Sequence, residues 1–256
     1  MMTDWAGLKT ELARWMDTGR TATFWWRDDD ATAPGPRLER LAALSGTHRI
    51  PVGLAVIPGR ARDDLGAALS AVPQLKMLVH GHHHRNYAPA GEKKAEFGAH
   101  RPVPDMLGDT AVGRETLLAR FPNLALPIFV PPWNRIDPTL ADQLSSAHFK
   151  GLSRYGRRGD RPPAQNMVEN NCHLDLINWR GGRNFIGRTQ ALELLIKHLA
   201  ARRTGRADHG EITGILSHHA IMDEESWFFL AELFAHTKES DNAHWLTIDD
   251  VFRVPE

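Results

Sequence analysis

The segment ATFWWRDDDA, residues 22–31, is the stretch from which the fold of this chain can be predicted. Its first five residues form an aromatic and β-branched run, which predicts a strand. The strand ends in Arg27 and three successive carboxylates, Asp28, Asp29 and Asp30. Like charges this close repel each other, so the run needs either a cation or solvent around it. We therefore expect a charged site here or, alternatively, a solvated turn that caps the next helix.

The segments that follow this strand alternate between helix and strand patterns. A helix with Leu38, Leu41 and Leu44 comes next, and further strands are predicted at PVGLAVIP, KMLVH, IFV, LDLI (174–177), EITGILS and HWLTI. Such alternation predicts parallel strands covered by helices, as in an α/β barrel or a doubly wound sheet. No long Gly/Ser linker divides the chain, so we expect a single α/β domain over residues 1–256.

Polar or reactive residues directly follow several of the predicted strands. These residues are Asp28–Asp30, His80–His84, Pro131–Trp133 and His218–His219. In α/β barrels the active site is built at the carboxyl ends of the strands. We therefore expect these four segments, which are distant in sequence, to meet at one rim of the barrel.

Histidine accounts for 14 of the 256 residues, and four of them lie in the segment HGHHH, residues 80–84. A divalent metal site combines neutral imidazoles with a carboxylate. His80 and His84 converge if the chain turns helically after the strand, whereas His80 and His82 converge if the strand continues. Both pairings stay open from the sequence. A polar surface loop is the other interpretation, but four histidines in five positions favour a site.

A second pair of histidines, His218 and His219, follows the apolar strand EITGILS. Side chains alternate along a strand, so one of the two is expected to face the barrel axis and the other to face away. The only cysteine, Cys172, has no Cys-His signature around it, which predicts an inert buried thiol.

The composition excludes several classes of protein. The 31 basic and 31 acidic residues give a formal net charge of zero, which argues against a general nucleic-acid binder. One cysteine cannot form a disulfide framework, and no apolar run reaches the length of about 18 residues that predicts a transmembrane helix. The N-terminal segment has charges within its apolar stretch and no cleavage pattern. We therefore expect a cytoplasmic protein that acts on a small molecule or an oligosaccharide, with no nucleic-acid or membrane partner.

Taken in order, the stretches RDDDA, HGHHH, VPPW, DLINW and LSHH resemble the five motifs of the NodB-homology polysaccharide deacetylases, carbohydrate esterase family four. They extend from Asp28 to His219. The resemblance implies a distorted (β/α)7–8 barrel and a metal-dependent hydrolase that removes an acetyl group from an amide nitrogen of a sugar or small metabolite. It also implies a cytoplasmic branch of that family.

The resemblance implies that Asp30, His80 and His84 hold one divalent metal ion, with zinc as the expected metal. Three protein ligands leave a position for water, as in catalytic zinc sites.

The same resemblance implies four catalytic roles. Asp29 would be the general base and His218 the general acid. The backbone N–H of Trp133 would help to hold the oxyanion. Asp175, the only carboxylate of the fourth motif, would orient His218.

Two positions depart from the family pattern, because Val130 stands where the family has an arginine and Asn178 where it has an aspartate. In the family these two residues act together on the catalytic base. Arg135, Arg180 and Arg183 are the candidates to substitute for the missing arginine.

The departures keep two alternative functions open. One is a catalytically silent member of the same fold that binds a metal or a carbohydrate. The other is an amidohydrolase-type enzyme that uses the pair His80 and His82. Such enzymes have the histidine pair after their first strand and the acid late in the chain, whereas here the acidic run comes first.

Overall fold

The computed structural model describes residues 4–70, 72, 74–159 and 163–254. Within them the chain forms the following elements: α1 Trp5–Asp17, β1 Ala22–Ala31, α2 Pro36–His48, β2 Val52–Val56, α3 Leu65–Leu69, β3 Leu75–His80, α4 Val103–Arg120, β4 Ala125–Val130, α5 Pro138–Gln143, β5 Gly151–Leu152, β6 Val168–Glu169, β7 Leu174–Asp175, α6 Arg188–Arg203, β8 Thr213–Ser217, α7 Glu224–Lys238, β9 Ala243–Trp245 and α8 Ile248–Phe252.

The nine described strands form one sheet in the order β6-β5-β4-β3-β2-β1-β8-β7, and β9 also pairs with β1. Every pairing between these strands is parallel. The end strands β6 and β7 are the two ends of one short segment, residues 168–175, so this segment bridges both edges of the sheet. The α/β fold with a distorted, curled parallel sheet is therefore confirmed.

Strand β1 separates two parts of the hydrophobic core. Phe24 and Trp26 belong to the larger part, where Phe24 stacks on Trp245 at 5.2 Å between ring centroids. Trp25 points to the other side and meets Phe252 of α8 edge to face at 5.4 Å. This alternation is the period of a strand, and it places Arg27 two residues further on the same side as Trp25. Arg27 is completely buried there.

The strand–helix alternation predicted from sequence fails between β5 and β7. The described part of residues 153–173 contains the two-residue strand β6 and no helix. The predicted strand at 174–177 is only the two residues of β7, and Ile177 pairs instead with Phe185 in an isolated antiparallel bridge. Among the described residues, no helix is long and apolar enough to cross a bilayer.

Candidate active site

The carboxyl ends of β1 and β3 bring Asp30, His80 and His84 together. Asp30 Oδ1 lies 3.1 Å from His80 Nε2 and 3.2 Å from His84 Nε2. Ligand atoms bound about 2.1 Å from a tetrahedral zinc ion lie about 3.4 Å from one another, so the spacing fits such an ion. His80 is buried, whereas Asp30 and His84 are partly exposed to a cavity.

A bulge in β1 gives Asp30 its direction. Asp28 pairs with Leu54 and Ala31 with Val56, so three steps along β1 match two along β2. Asp30 adopts a left-handed conformation at this irregularity, with a φ of 72°. A regular strand would place neighbouring side chains on opposite faces. Because of the bulge, Asp29 and Asp30 both line the same cavity.

The backbone around His80 selects the tautomer that a metal ligand needs. His80 Nδ1 lies 2.9 Å from the carbonyl oxygen of Val130, and a carbonyl can only accept a hydrogen bond. The proton of the neutral ring is therefore on Nδ1, which leaves the lone pair of Nε2 directed toward Asp30. A backbone partner of this kind is the usual way in which proteins orient a metal-binding histidine.

The pKa shifts of Asp30 and His80 show that the cluster favours positive charge beside the carboxylate. Burial raises the pKa of Asp30, but the hydrogen bonds with His80 and His84 outweigh this effect and hold the pKa well below its ordinary value. Burial lowers the pKa of His80, and the hydrogen bond with Asp30 together with the charges of Asp29 and Asp30 reverses the shift. Asp30 is thus held as an anion beside a His80 ring that favours its protonated form, and a cation bound there would take the place of that proton.

Glu96, which our sequence analysis did not single out, fixes the loop that carries His84. Its buried carboxylate accepts hydrogen bonds from three successive backbone N–H groups, those of His82, His83 and His84, at 3.3, 2.9 and 3.1 Å. Gly81 begins this turn with a φ of 61°, and a Cβ there would lie 2.3 Å from Glu96 Oε2. The turn places His84, rather than His82, beside His80.

The other two histidines of the HGHHH segment lie outside this cluster. The rings of His82 and His83 stack at 3.8 Å between centroids, and His82 Nδ1 lies 3.8 Å from Asp109 Oδ1. The cavity is lined by His80 and His84 and not by His82. The pairing of His80 with His82, on which the amidohydrolase alternative depends, is therefore absent among the described residues.

Arg27, to which the sequence analysis assigned no role, is the cationic partner of Asp29. Its Nε lies 2.8 Å from Asp29 Oδ1, and its Nη2 donates to Asp29 Oδ2 at 3.0 Å. Asn134 and Ser153 accept further hydrogen bonds from Arg27 at 2.6 and 2.7 Å. Burial lowers the pKa of Arg27, but the charge of Asp29 outweighs it and the guanidinium stays charged.

None of the three arginines that we expected as substitutes contacts Asp29 in the described structure. The side chain of Arg135 instead donates to the carbonyl of Lys94 at 2.7 Å. The position of the family's arginine is occupied by Val130, which is buried. The signal for Arg27 was present in the sequence, because residues two apart on a strand share a face.

The two histidines that follow β8, His218 and His219, face different surroundings. His218 lines the cavity with Asp29 and Asp30. His219 Nδ1 lies 2.5 Å from Asp28 Oδ1, and the backbone N–H of His219 donates to Asp28 Oδ2 at 2.9 Å. His219 thus ties β8 to β1, while His218 faces the cavity, in agreement with the alternation expected from sequence.

Asp175 is close to His218 but does not form a hydrogen bond with it. Asp175 Oδ1 lies 3.9 Å from His218 Nδ1 and accepts from the backbone N–H of Ile177 at 3.0 Å. Its other oxygen accepts from Trp179 Nε1 at 2.7 Å. Burial raises the pKa of Asp175. The carboxylate therefore anchors the Trp179 side chain as well as facing His218.

Trp133 lies in the short turn after β4 and borders the cluster of Asp30, His80 and His84. Its backbone is in the left-handed region, with a φ of 55°, which is uncommon for a bulky residue and marks a constrained position. Its ring lies 4.2 Å from the ring of His84, measured between centroids.

All seven residues to which the resemblance assigns a metal or catalytic role line one open cavity of about 860 Å³. They are Asp29, Asp30, His80, His84, Trp133, Asp175 and His218. Tyr155 and Trp179 add aromatic surface to its wall, and Cys172 is buried nearby with its pKa raised to about 12 by burial.

A second group of two histidines and one carboxylate lies at the amino-terminal ends of β7 and β8. It consists of His173, His198 and Glu211, all of them buried. His173 Nε2 lies 3.0 Å from Glu211 Oε1, and the two imidazole rings stack at 3.5 Å between centroids. The backbone N–H of Gly214 donates to His173 Nδ1 at 3.1 Å, so the proton of that ring is on Nε2. This cluster is therefore a hydrogen-bonded network whose His173 Nε2 cannot bind a metal.

Comparisons with solved structures find the same fold in several deacetylases and esterases. A putative polysaccharide deacetylase from Mycobacterium smegmatis superposes with a TM-score of 0.66 at 14% identity, over 92% of this chain and 90% of that one. A Streptococcus mutans CE4 esterase gives 0.57 at 9% identity, over 91% and 89%. A family 4 acetyl xylan esterase from Clostridium thermocellum, in complex with a cobalt ion, gives 0.52 at 14% identity, over 91% of each chain.

Comparisons at the level of sequence add nothing to this. No family model matches the chain. No curated protein matches it either. The resemblance to the polysaccharide deacetylases is thus confirmed for the fold.

Proposed function

We propose that this chain is a divalent-metal-dependent hydrolase of the polysaccharide deacetylase type, which removes an acetyl group from an amide nitrogen of a sugar or small metabolite. The observation that carries the proposal is the cavity in which the Asp30–His80–His84 cluster lies beside the Arg27–Asp29 ion pair and His218. The fold shared with deacetylases supports it, as does the cobalt ion in the complex of the Clostridium thermocellum acetyl xylan esterase.

Asp30, His80 and His84 would hold the metal ion, and zinc suits two imidazole nitrogens and one carboxylate oxygen. When bound, such an ion supplies Lewis-acid polarisation of a water molecule and of the acyl oxygen. Glu96 holds the His84 loop, and the Val130 carbonyl holds the His80 ring, so both ligands are oriented before the ion binds.

Asp29 is the general base in this proposal. One carboxylate oxygen accepts a proton as the water oxygen attacks the carbonyl carbon of the amide. The Arg27 guanidinium fixes the orientation of both carboxylate oxygens and balances the charge. Arg27 thereby serves the catalytic base in place of the arginine that the family has where this chain has Val130.

His218 and Trp133 act on the other side of the amide. The backbone N–H of Trp133 donates a hydrogen bond to the developing oxyanion, a common source of transition-state stabilisation. His218 then protonates the departing nitrogen, so the C–N bond breaks to give a free amine and acetic acid. Asp175, 3.9 Å from His218 Nδ1, would help to orient that imidazole.

The presence of Arg27 beside Asp29 weakens the alternative of a catalytically silent binding protein. That alternative depended on the absence of a cation beside the base, and Asp29 has one. A cytoplasmic location remains part of the proposal.

Acetate release from N-acetylated amino sugars tests the proposed reaction. Protein loaded with zinc should release acetate, and Asp29→Asn protein with the same zinc content should release about 10²-fold less or lower, the usual contribution of a positioned base. Equal rates for the two proteins, or zinc binding without any turnover, would leave the silent-binder alternative as the better account.

A further inference from the structure

The lining of the cavity includes a group of basic side chains besides its histidines. Among the described residues, its basic side chains are Lys94, Arg135, Arg180 and Arg183. The three acids that line the cavity are each engaged elsewhere: Asp29 by Arg27, Asp30 by two imidazoles, and Asp175 by Trp179. None of these basic side chains forms an ion pair with an acid of the cavity in the described ranges.

Arg180 and Arg183 differ from most exposed arginines of this protein. Their side chains are exposed and form no hydrogen bond or ion pair with any residue in the described ranges. Several other exposed arginines have acidic partners, as in the pairs Arg40–Glu224, Arg62–Asp64 and Arg188–Glu232. The side chains of Arg49 and Arg60 are also exposed without a hydrogen bond or ion pair in the described ranges, but they do not line the cavity. Two guanidinium groups within four residues repel each other, and an anion between them removes that repulsion.

The loop that presents these arginines is held in a defined shape. Asn178 accepts from the backbone N–H of Gly181 through its side chain at 2.9 Å and from that of Arg183 through its carbonyl at 3.0 Å. Ile177 and Phe185 pair in an antiparallel bridge at its base. Asn178 is one of the two positions that depart from the family pattern, and here it forms the turn of this loop.

We propose that residues 178–184 form an anion-recognition loop, which selects acetylated amines that carry a phosphate or carboxylate group. Arg180 and Arg183 would bind this group through charge-assisted hydrogen bonds, to which guanidinium forks are well suited. Lys94 and Arg135, linked by the hydrogen bond between Arg135 and the Lys94 carbonyl, add positive charge to the lining of the cavity. The inference rests on the proposed function, because it assigns the substrate class of the same cavity.

Binding calorimetry of three matched sugars tests the proposal on zinc-loaded protein. The probes are N-acetylglucosamine, N-acetylglucosamine 6-phosphate and N-acetylmuramic acid, which are neutral, phosphorylated and carboxylated in turn. At least one charged sugar should bind about tenfold tighter than the neutral one, as one charge-assisted hydrogen bond allows. The comparison between the two charged sugars identifies which anion is preferred.

The variants Arg180→Gln and Arg183→Gln should each remove about tenfold of affinity for the preferred charged sugar and leave the neutral one unchanged. Arg49→Gln is the matched control. Arg49 is also exposed and has a left-handed backbone, with a φ of 51° against 60° for Arg183, but it precedes β2 at the opposite end of the strands. In turnover assays, the loop variants should raise KM and leave kcat unchanged.

Equal binding of neutral and charged sugars, or no binding of either charged sugar, would overturn the anion-recognition loop. The same would follow if Arg49→Gln weakened binding as much as the loop variants, because only long-range charge would then matter. Selective binding of a charged sugar without acetate release would instead refute the proposed reaction while the loop assignment stands.

Discussion

Two clusters, each of two histidines and one carboxylate, lie at opposite ends of this sheet. Asp30, His80 and His84 meet at the carboxyl ends of the strands, and a second pair of histidines meets Glu211 at the amino ends. The two clusters differ in the hydrogen-bond partner of one histidine Nδ1 atom. A carbonyl accepts from Nδ1 of His80, whereas a backbone N–H donates to Nδ1 of His173. The first arrangement frees Nε2 for a metal, and the second places a proton on it.

The two clusters also differ in ionisation. Near Asp30, the pKa of His80 is raised, since the surrounding carboxylates outweigh burial. In the second cluster, burial dominates and lowers the pKa of His198 to about 4. Two histidines and a carboxylate are thus insufficient evidence for a metal centre, because second-neighbour hydrogen bonds decide which atoms are available.

Removal of one histidine from each cluster should give the largest contrast. We expect His84→Gln to reduce bound zinc from about one per chain to below about a tenth, because a catalytic site needs its three protein ligands. His198→Gln and His82→Gln should retain the full content. Elemental analysis of folded, dialysed protein measures this. A second equivalent of zinc in the wild type that is lost in His198→Gln would reverse our assignment of the two clusters.

Substitution of the two histidines that follow β8 tests the division between cavity and scaffold. His218→Asn should lower amide turnover by about 10² to 10⁴-fold, the usual range for a general acid, with unchanged zinc content. The loss should be smaller for 4-nitrophenyl acetate, whose leaving group departs without protonation.

His219→Asn is the matched control, because an asparagine amide can still donate to Asp28. It should retain most amide turnover. If His219→Asn loses amide turnover and His218→Asn does not, the general acid is His219 and our assignment of His218 is wrong. If either variant loses zinc, the role of general acid is wrong.

The second cluster should make the protein sensitive to acid. His198 has a pKa of about 4 in the folded protein and an ordinary value near 6.5 when unfolded, so the unfolded state binds more protons as the pH falls. Its contribution to the free energy of unfolding should fall by about 2 kcal/mol between pH 7 and pH 5. Urea unfolding of wild type and His198→Gln at both pH values measures the difference. Equal pH dependence in the two proteins would show that His198 is not held neutral.

Substitution of Glu96 should weaken the proposed metal site without abolishing it. In Glu96→Gln, one carboxylate oxygen becomes an NH₂ group that faces backbone N–H donors, which disturbs the turn before His84. We expect zinc affinity to fall by about 10 to 100-fold, the usual cost of losing a partner that orients a ligand. Competition with a chelator measures it, and the d–d spectrum of cobalt-substituted protein should change. Glu92→Gln, an exposed change on the same loop, should alter neither quantity.

Much of the site was predictable because it depends on local patterns. The apolar runs define β1, β3, β4 and β8, and parallel strands bring their carboxyl ends to one rim. The position of Asp30, His80 and His218 at such ends follows from that alone. The irregular segment 168–175 has no such pattern: β6 was missed, and β7 is shorter than the strand predicted at 174–177.

Other features depend on contacts between segments that are distant in sequence. The bulge in β1 follows from its register with β2, and it alone lets Asp29 and Asp30 share a cavity. The choice of His84 over His82 depends on Glu96, which lies twelve residues after His84. The second cluster could not be found, because nothing in the sequence places His173 beside His198.

The sequence by itself determined which residue types end the strands, and so the α/β fold and the chemistry available at its rim. The tertiary structure decided which of these residues act together. Arg27 shows why: strand periodicity places it on the face of Asp29, but only the closed core makes it a buried cation that must pair with a carboxylate. Ring tautomers, bulges and buried ion pairs are set by partners across the sheet, and a linear pattern contains no record of those partners.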